Sequence, residues 1–157
     1  MKTKIRHIYE IIAGAILSLL GLSGCEDVFY GPVEYGVPSA GFKLTGTVKS
    51  EVTGEPVKDI VVKFRNNVDG TRFHEVIETR TDGDGRVETS FTDWPIYNEV
   101  QITFEDVDGE ENGGAFAPDT LRNKDLNIEL KEDKKSGWFK GNYTIGFEAK
   151  LKVSKPE

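Results

Sequence analysis

The densest run of candidate metal-ligating oxygens is Asp106-Val107-Asp108-Gly109-Glu110-Glu111-Asn112. Calcium gathers about six to eight oxygens, and Asp106, Asp108, Glu110 and Asn112 could offer several from one loop. The spacing departs from an EF-hand, because no third Asp precedes the glycine and no glutamate closes the loop at the right place. A solvated hairpin loop, with Asn112-Gly113-Gly114 as turn chemistry, accounts for the same residues. The loop is therefore read as a turn, with metal binding as the alternative. Asp82 and Asp84, within Thr81-Asp82-Gly83-Asp84-Gly85, are also read as turn residues.

Catalytic chemistry finds little to use. His7 and His74 are the two histidines of the chain. A hydrolytic triad needs a base held by a carboxylate beside a nucleophile. His74 adjoins Glu75 in an extended run, so the two side chains point to opposite faces. His74 is expected to be a half-exposed strand residue. No catalytic residue and no cofactor is assigned, and the chain is expected not to be an enzyme. Trp94, Tyr97, Trp138, Phe139 and Tyr143 fall outside the cleanest strand patterns. Such rings cap small cores; left exposed, they stack on sugars or anchor protein partners.

The single cysteine, Cys25, rules out an intrachain disulfide. It is preceded by a basic head, Lys2, Lys4 and Arg6, and by an apolar run over Ile11–Leu22. That run is shorter than the about 20 residues a membrane helix needs and fits the core of a signal peptide. Leu22-Ser23-Gly24-Cys25 resembles a bacterial lipobox, in which the cysteine thiol takes a diacylglycerol and the chain is cut just before it. The expected organisation is a signal peptide at 1–24, a lipidated N-terminus and tether at 25–41, and one domain at 42–157. Two or three acyl chains would anchor the protein stably, where one is marginal. Glu26 and Asp27, directly after the cysteine, resemble the acidic export signal of surface lipoproteins in the Bacteroidetes. The expected location is the cell envelope, at the outer membrane and facing outward.

Composition sets the remaining bounds. The chain has 157 residues, a net charge of −7 and a 37% apolar share, enough for one packed core. The balance is acidic and no basic stripe exists, which speaks against nucleic acid. Lys131, Lys134 and Lys135 sit among Glu132 and Asp133 and read as a solvated loop.

From Phe42 onward the pattern is β. Phe42, Leu44 and Val48, then Ile60, Val62 and Phe64, alternate at period two. Phe73–Thr79, Val87–Phe91, Val100–Phe104, Leu126–Leu130 and Ile145–Val153 continue the series, with turn residues between them. Asn66, Asn67, Asp69 and Gly70 are read as one of those turns. About seven short strands predict an all-β fold, a single antiparallel sandwich. The long last strand is expected to pair with the first or to form an edge guarded by Lys150, Lys152 and Lys155.

Gly46-Thr47-Val48, Thr53-Gly54-Glu55-Pro56-Val57, Ile60-Val61-Val62 and Thr81-Asp82-Gly83-Asp84-Gly85-Arg86-Val87 together resemble the carboxypeptidase regulatory-like domain, a transthyretin-like sandwich. Over nearly the whole chain, the lipoprotein signal, Tyr35-Gly36-Val37-Pro38, Phe104-Glu105-Asp106-Val107-Asp108-Gly109, Asn112-Gly113-Gly114 and Gly137-Trp138 occur in the order found in the radical SAM-associated lipoproteins of the Bacteroidetes. The resemblance implies a neighbouring radical SAM enzyme as partner. It implies no iron–sulfur cluster in this chain, which lacks the cysteines for one. Asp119-Thr120-Leu121 resembles the short O-glycosylation motif of the same bacteria and makes Thr120 a candidate acceptor.

The sequence thus points to a membrane-anchored envelope lipoprotein carrying a binding or structural module. The alternatives are a calcium-stabilised domain and a surface domain for glycan or protein; a pilin-like subunit and a hydrolase rank below them.

Overall fold

The structure is a computed structural model and describes residues 36–133 and 137–154. Cys25 and the signal-like segment lie outside the described residues. Eight strands form: β1 (Ser39–Ser50), β2 (Val61–Asn67), β3 (His74–Arg80), β4 (Arg86–Asp93), β5 (Glu99–Glu105), β6 (Asp119–Arg122), β7 (Asn127–Glu132) and β8 (Phe139–Leu151). They make two four-stranded sheets, ordered β4-β1-β8-β7 and β3-β2-β5-β6. The all-β sandwich matches the sequence pattern.

Three details differ from that pattern. The additional strand is β6, whose four residues contain one apolar side chain, Leu121, too few to show alternation. The tether boundary also shifts, since Ser39, Ala40 and Gly41 already belong to β1 and Ala40 is fully buried. The last strand does pair with the first, but in parallel and inside the sheet, between β1 and β7. Two strands at opposite ends of a domain can run parallel because the whole intervening chain serves as the crossover. The sheet edges are β4 and β7, so Lys150 and Lys152 guard no edge.

The core lies between the sheets. On β8, Tyr143, Ile145, Phe147, Ala149 and Leu151 face inward at every second position. Phe42 sits at the centre of a ring cluster, stacked on Phe91 at 5.1 Å and Tyr143 at 5.0 Å and tilted against Phe64 at 5.6 Å. Lower down, Phe104 meets Phe147 at 5.5 Å. Gly46 occupies an inward position opposite Phe147, where an added Cβ would lie 2.4 Å from the Phe147 ring. The missing side chain makes the space that the ring fills.

Candidate functional site

The sandwich has two ends, and the loops at each handle their polar groups differently. One end gathers the turns after β1, β3 and β5. Thr81 is buried there; its Oγ1 donates to the Val57 carbonyl at 2.7 Å and accepts from the Ile60 N–H at 3.0 Å. Asp82 Oδ1 accepts from the N–H groups of Asp84 and Arg86. The Val48 N–H donates to the Gly85 carbonyl, and the Val48 carbonyl accepts from the Val57 N–H. The four segments that carry the regulatory-like resemblance are thus tied together by backbone and turn bonds. Their spacing is a requirement of the fold.

The acidic loop lies at this same turn end. Asp106 Oδ1 accepts from the N–H groups of Asp108 and Gly109, each at 3.2 Å, and Asp106 Oδ2 accepts from the Phe116 N–H at 2.7 Å. The carboxylate is occupied in folding its own loop and pinning Phe116 to the core. Asn112 Nδ2 donates to Asp108 Oδ2 and to Asp59 Oδ2. The Asn112 bond, and after it the contact with Asp106, hold the Asp108 carboxyl below the ordinary carboxylate range. Asp106, Asp108 and Asn112 therefore meet, while Glu110 is exposed to solvent. Among the described residues no group of three or more His, Cys, Asp or Glu side chains is placed to hold a metal ion. Thr120 is exposed on the edge strand β6, and its N–H donates to Asp119 Oδ1.

The other end collects the rings. The starts of β1 and β8, the ends of β4 and β7 and the β4–β5 connection meet there. Pro95, Ile96, Tyr97, Leu130 and Tyr143 line a cleft of about 380 Å³, with Glu132, Asp133 and Lys140 along it. Of the eight exposed large hydrophobic residues described, five belong to this end: Val37, Trp94, Tyr97, Leu130 and Trp138. Trp138 closes over the incoming chain. An added Cβ on Gly36 would lie 3.0 Å from its indole, and the Ser39 N–H donates to the Trp138 carbonyl. Tyr143 joins core and cleft. Burial pushes its hydroxyl above the ordinary phenol range, Tyr97 and Glu132 push the same way, and a hydrogen bond from the Ile96 backbone opposes them.

Beneath the β4–β5 connection lies a polar cluster. Asn66, fully buried, donates through Nδ2 to Asp93 Oδ2 at 2.9 Å and to the Trp94 carbonyl at 3.0 Å. Its Oδ1 is buried and has no hydrogen-bond partner among the described residues. His74 Nε2 stands 3.4 Å from the same Asp93 oxygen, which links edge strands of the two sheets. Asn66 and Asn67 are thus the last residues of β2, not turn residues. His74 is part-exposed as expected, but its carboxylate is Asp93, nineteen positions on. Neither Asn66 nor Asp93 carries a local signal; only strand pairing brings them together. The turn signal of the Asn66-Asn67 pair is real, but β2 continues through both residues because Asn66 pairs with His74 and with Val100.

No family profile matches the chain, and no curated protein matches it. Solved structures of similar architecture include hydroxyquinol 1,2-dioxygenase from Pseudomonas putida, at 12% identity and a TM-score of 0.47 over 91% of this chain and 71% of that one. The dioxygenase domain of a carbohydrate-binding fusion from a Streptomyces species aligns at 13% identity and a TM-score of 0.47, over 83% and 96% of the two chains. Klebsiella pneumoniae 5-hydroxyisourate hydrolase aligns at 14% identity and a TM-score of 0.40, over 70% and 85%. These similarities are of fold and assign no reaction to this chain. They do correct one expectation. The sequence counts the chain as not an enzyme because it shows no catalytic constellation; enzymes occur among the structures of similar architecture. The sandwich is therefore no ground for excluding catalysis.

Proposed function

We propose that the chain is an envelope lipoprotein, held at the outer membrane through acylated Cys25, whose working surface is the aromatic end of the sandwich. The observation that carries the second half is the concentration of exposed rings and Leu130 around one cleft, at the end from which the chain leads back toward Cys25. Large exposed apolar groups gathered at one place mark an interaction surface. The first half rests on the lipobox pattern; no helix among the described residues is long and apolar enough to cross a membrane. The family resemblance adds a radical SAM enzyme as the partner that acts on this chain or beside it. The exposed Thr120 is the site offered for O-glycosylation.

Fractionation of native cells tests the anchor. The wild-type chain should sediment with membranes, and Cys25→Ala should move to the soluble fraction. Unchanged membrane association of Cys25→Ala overturns the anchored reading.

A further inference from the structure

Both tryptophans of the chain, Trp94 and Trp138, belong to the aromatic end. So do Tyr97 and Leu130, exposed beside the cleft. The sheet begins at the same end. The Ser39 N–H bonds to the Trp138 carbonyl, and Ser39 lies fourteen residues after Cys25. Fully extended, fourteen residues reach roughly 50 Å. The longest strand, β8, has 13 residues and is about 40 Å long. A chain tethered at Ser39 therefore keeps the aromatic end within ordinary reach of the anchoring surface. The turn end, a strand length further away, is the distal one.

Tryptophan and tyrosine favour the layer where lipid headgroups meet hydrocarbon, because one part of each ring system is apolar and another can hydrogen-bond. The ring-rich end and the tethered end being one end, we infer that this surface docks onto the lipid–water interface of the membrane that holds Cys25. The domain then stands end-on, with Trp94, Tyr97, Leu130 and Trp138 against the headgroups and the turn end outward. The inference rests on the anchored reading above. A saccharide, which rings and the Glu132 carboxylate could also hold, has no comparable placement in its favour and is an outcome of the test.

The native acylated chain is reconstituted into phosphatidylcholine vesicles with and without bromine on the acyl chains. Flotation reads the anchor. Tryptophan emission reads the aromatic end alone, since the chain has no other tryptophan. Bromine quenches only at contact distance, so emission should fall in the brominated vesicles. A V107W substitution in a W94F/W138F background moves the only indole to the turn end, where Val107 is 55% exposed, and this chain should show no quenching. A chain that floats with Trp94 and Trp138 unquenched overturns the docking and leaves the anchored reading standing. Equal quenching of the V107W chain also overturns it, because the domain would then have no fixed end. Failure to float overturns both readings. Emission that changes with an added oligosaccharide and not with bromine assigns the surface to sugar and overturns the lipid.

Discussion

At the turn end, Asp82 and Asp106 direct their side-chain oxygens onto backbone groups of their own loops, and Thr81 ties its turn to the β1–β2 connection. At the aromatic end, Asn66 Oδ1 is buried with no hydrogen-bond partner among the described residues, and Trp94, Tyr97 and Leu130 stay exposed although a core lies beneath them. The difference is local to the β4–β5 connection and the end of β2 beneath it, since Asn67, Asn98 and Asn123 at the same end do bond backbone groups of neighbouring segments. A loop that satisfies its own hydrogen bonds stabilises the fold and offers little to a partner. A loop end that leaves rings and a buried acceptor uncompensated adds less stability and keeps surface for recognition. A bare buried acceptor costs about 1–3 kcal/mol, so the two ends should separate clearly under substitution.

At the turn end the largest effect is expected at Gly85. Its φ is +66°, and an added Cβ would meet the Val48 carbonyl at 2.5 Å and the Val57 N–H nitrogen at 3.0 Å. Left-handed backbone and crowding together make Gly85→Ala destabilising by roughly 2–5 kcal/mol. Urea unfolding should show a lower midpoint with the same slope; an unchanged midpoint would mean that the turn end does not hold the fold. Next comes Thr81→Val, which keeps the shape of the side chain and removes the hydroxyl. The Ile60 N–H and the Val57 carbonyl then lose a buried partner, and the expected loss is about 2–3 kcal/mol. A loss below half a kilocalorie would show that water replaces the hydroxyl and that the turn end is more open than its geometry indicates.

The same substitution logic gives the opposite result for Tyr97, which is 51% exposed. Tyr97→Ser should shift stability by no more than about 0.5 kcal/mol, as exposed substitutions usually do. Its effect should fall on the reconstituted vesicles, where flotation persists and bromine quenching of tryptophan weakens. A large loss of stability would make Tyr97 a capping ring of the core and erase the contrast between the ends.

How much of this was legible beforehand follows from the range of each signal. The alternation of Ile145, Phe147, Ala149 and Leu151 reports which side chains face inward, and it did locate β8. Alternation carries no information about neighbours, so the interior position of β8 and its parallel partner β1 could be known only from the assembled sheet. The ring residues were visible as misfits to the strand pattern, and Trp94, Tyr97 and Trp138 are exposed. Phe139 is half-buried and Tyr143 is part of the core, as capping rings would be. The Asp93 carboxylate was invisible because its partners, Asn66 and His74, lie 27 and 19 positions away. The Thr81–Gly85 turn is legible in the sequence because glycine and Asp chemistry there is local, whereas the Asn66-Asn67 turn signal is overridden by strand pairing.

The smallest effect sharpens the comparison by pH. Asp69 lies in the β2–β3 loop at the aromatic end and, like Asn67, accepts from that loop's own N–H groups. Its Oδ1 accepts from the Thr71 hydroxyl at 2.7 Å and from the N–H groups of Thr71 and Arg72. The Thr71 hydroxyl, then these backbone donors, lower its carboxyl from 3.8 to about 2. A carboxylate with a depressed folded value stabilises above its unfolded value and loses that contribution as acid protonates it. The relevant window thus runs downward from 3.8 to about 2. Asp69→Asn keeps an acceptor oxygen and cannot titrate. The wild-type chain should be slightly the more stable above this window, and the difference should shrink through it. Amide exchange at Thr71 and Arg72 gives the same comparison locally, and protection relative to the intrinsic exchange rate should fall in wild type alone as the pH falls. A gap that stayed constant down to the lower limit would show that the carboxylate charge does not order this loop. The β2–β3 loop would then be held by the Asn67 and Asn98 bonds and not by the Asp69 charge.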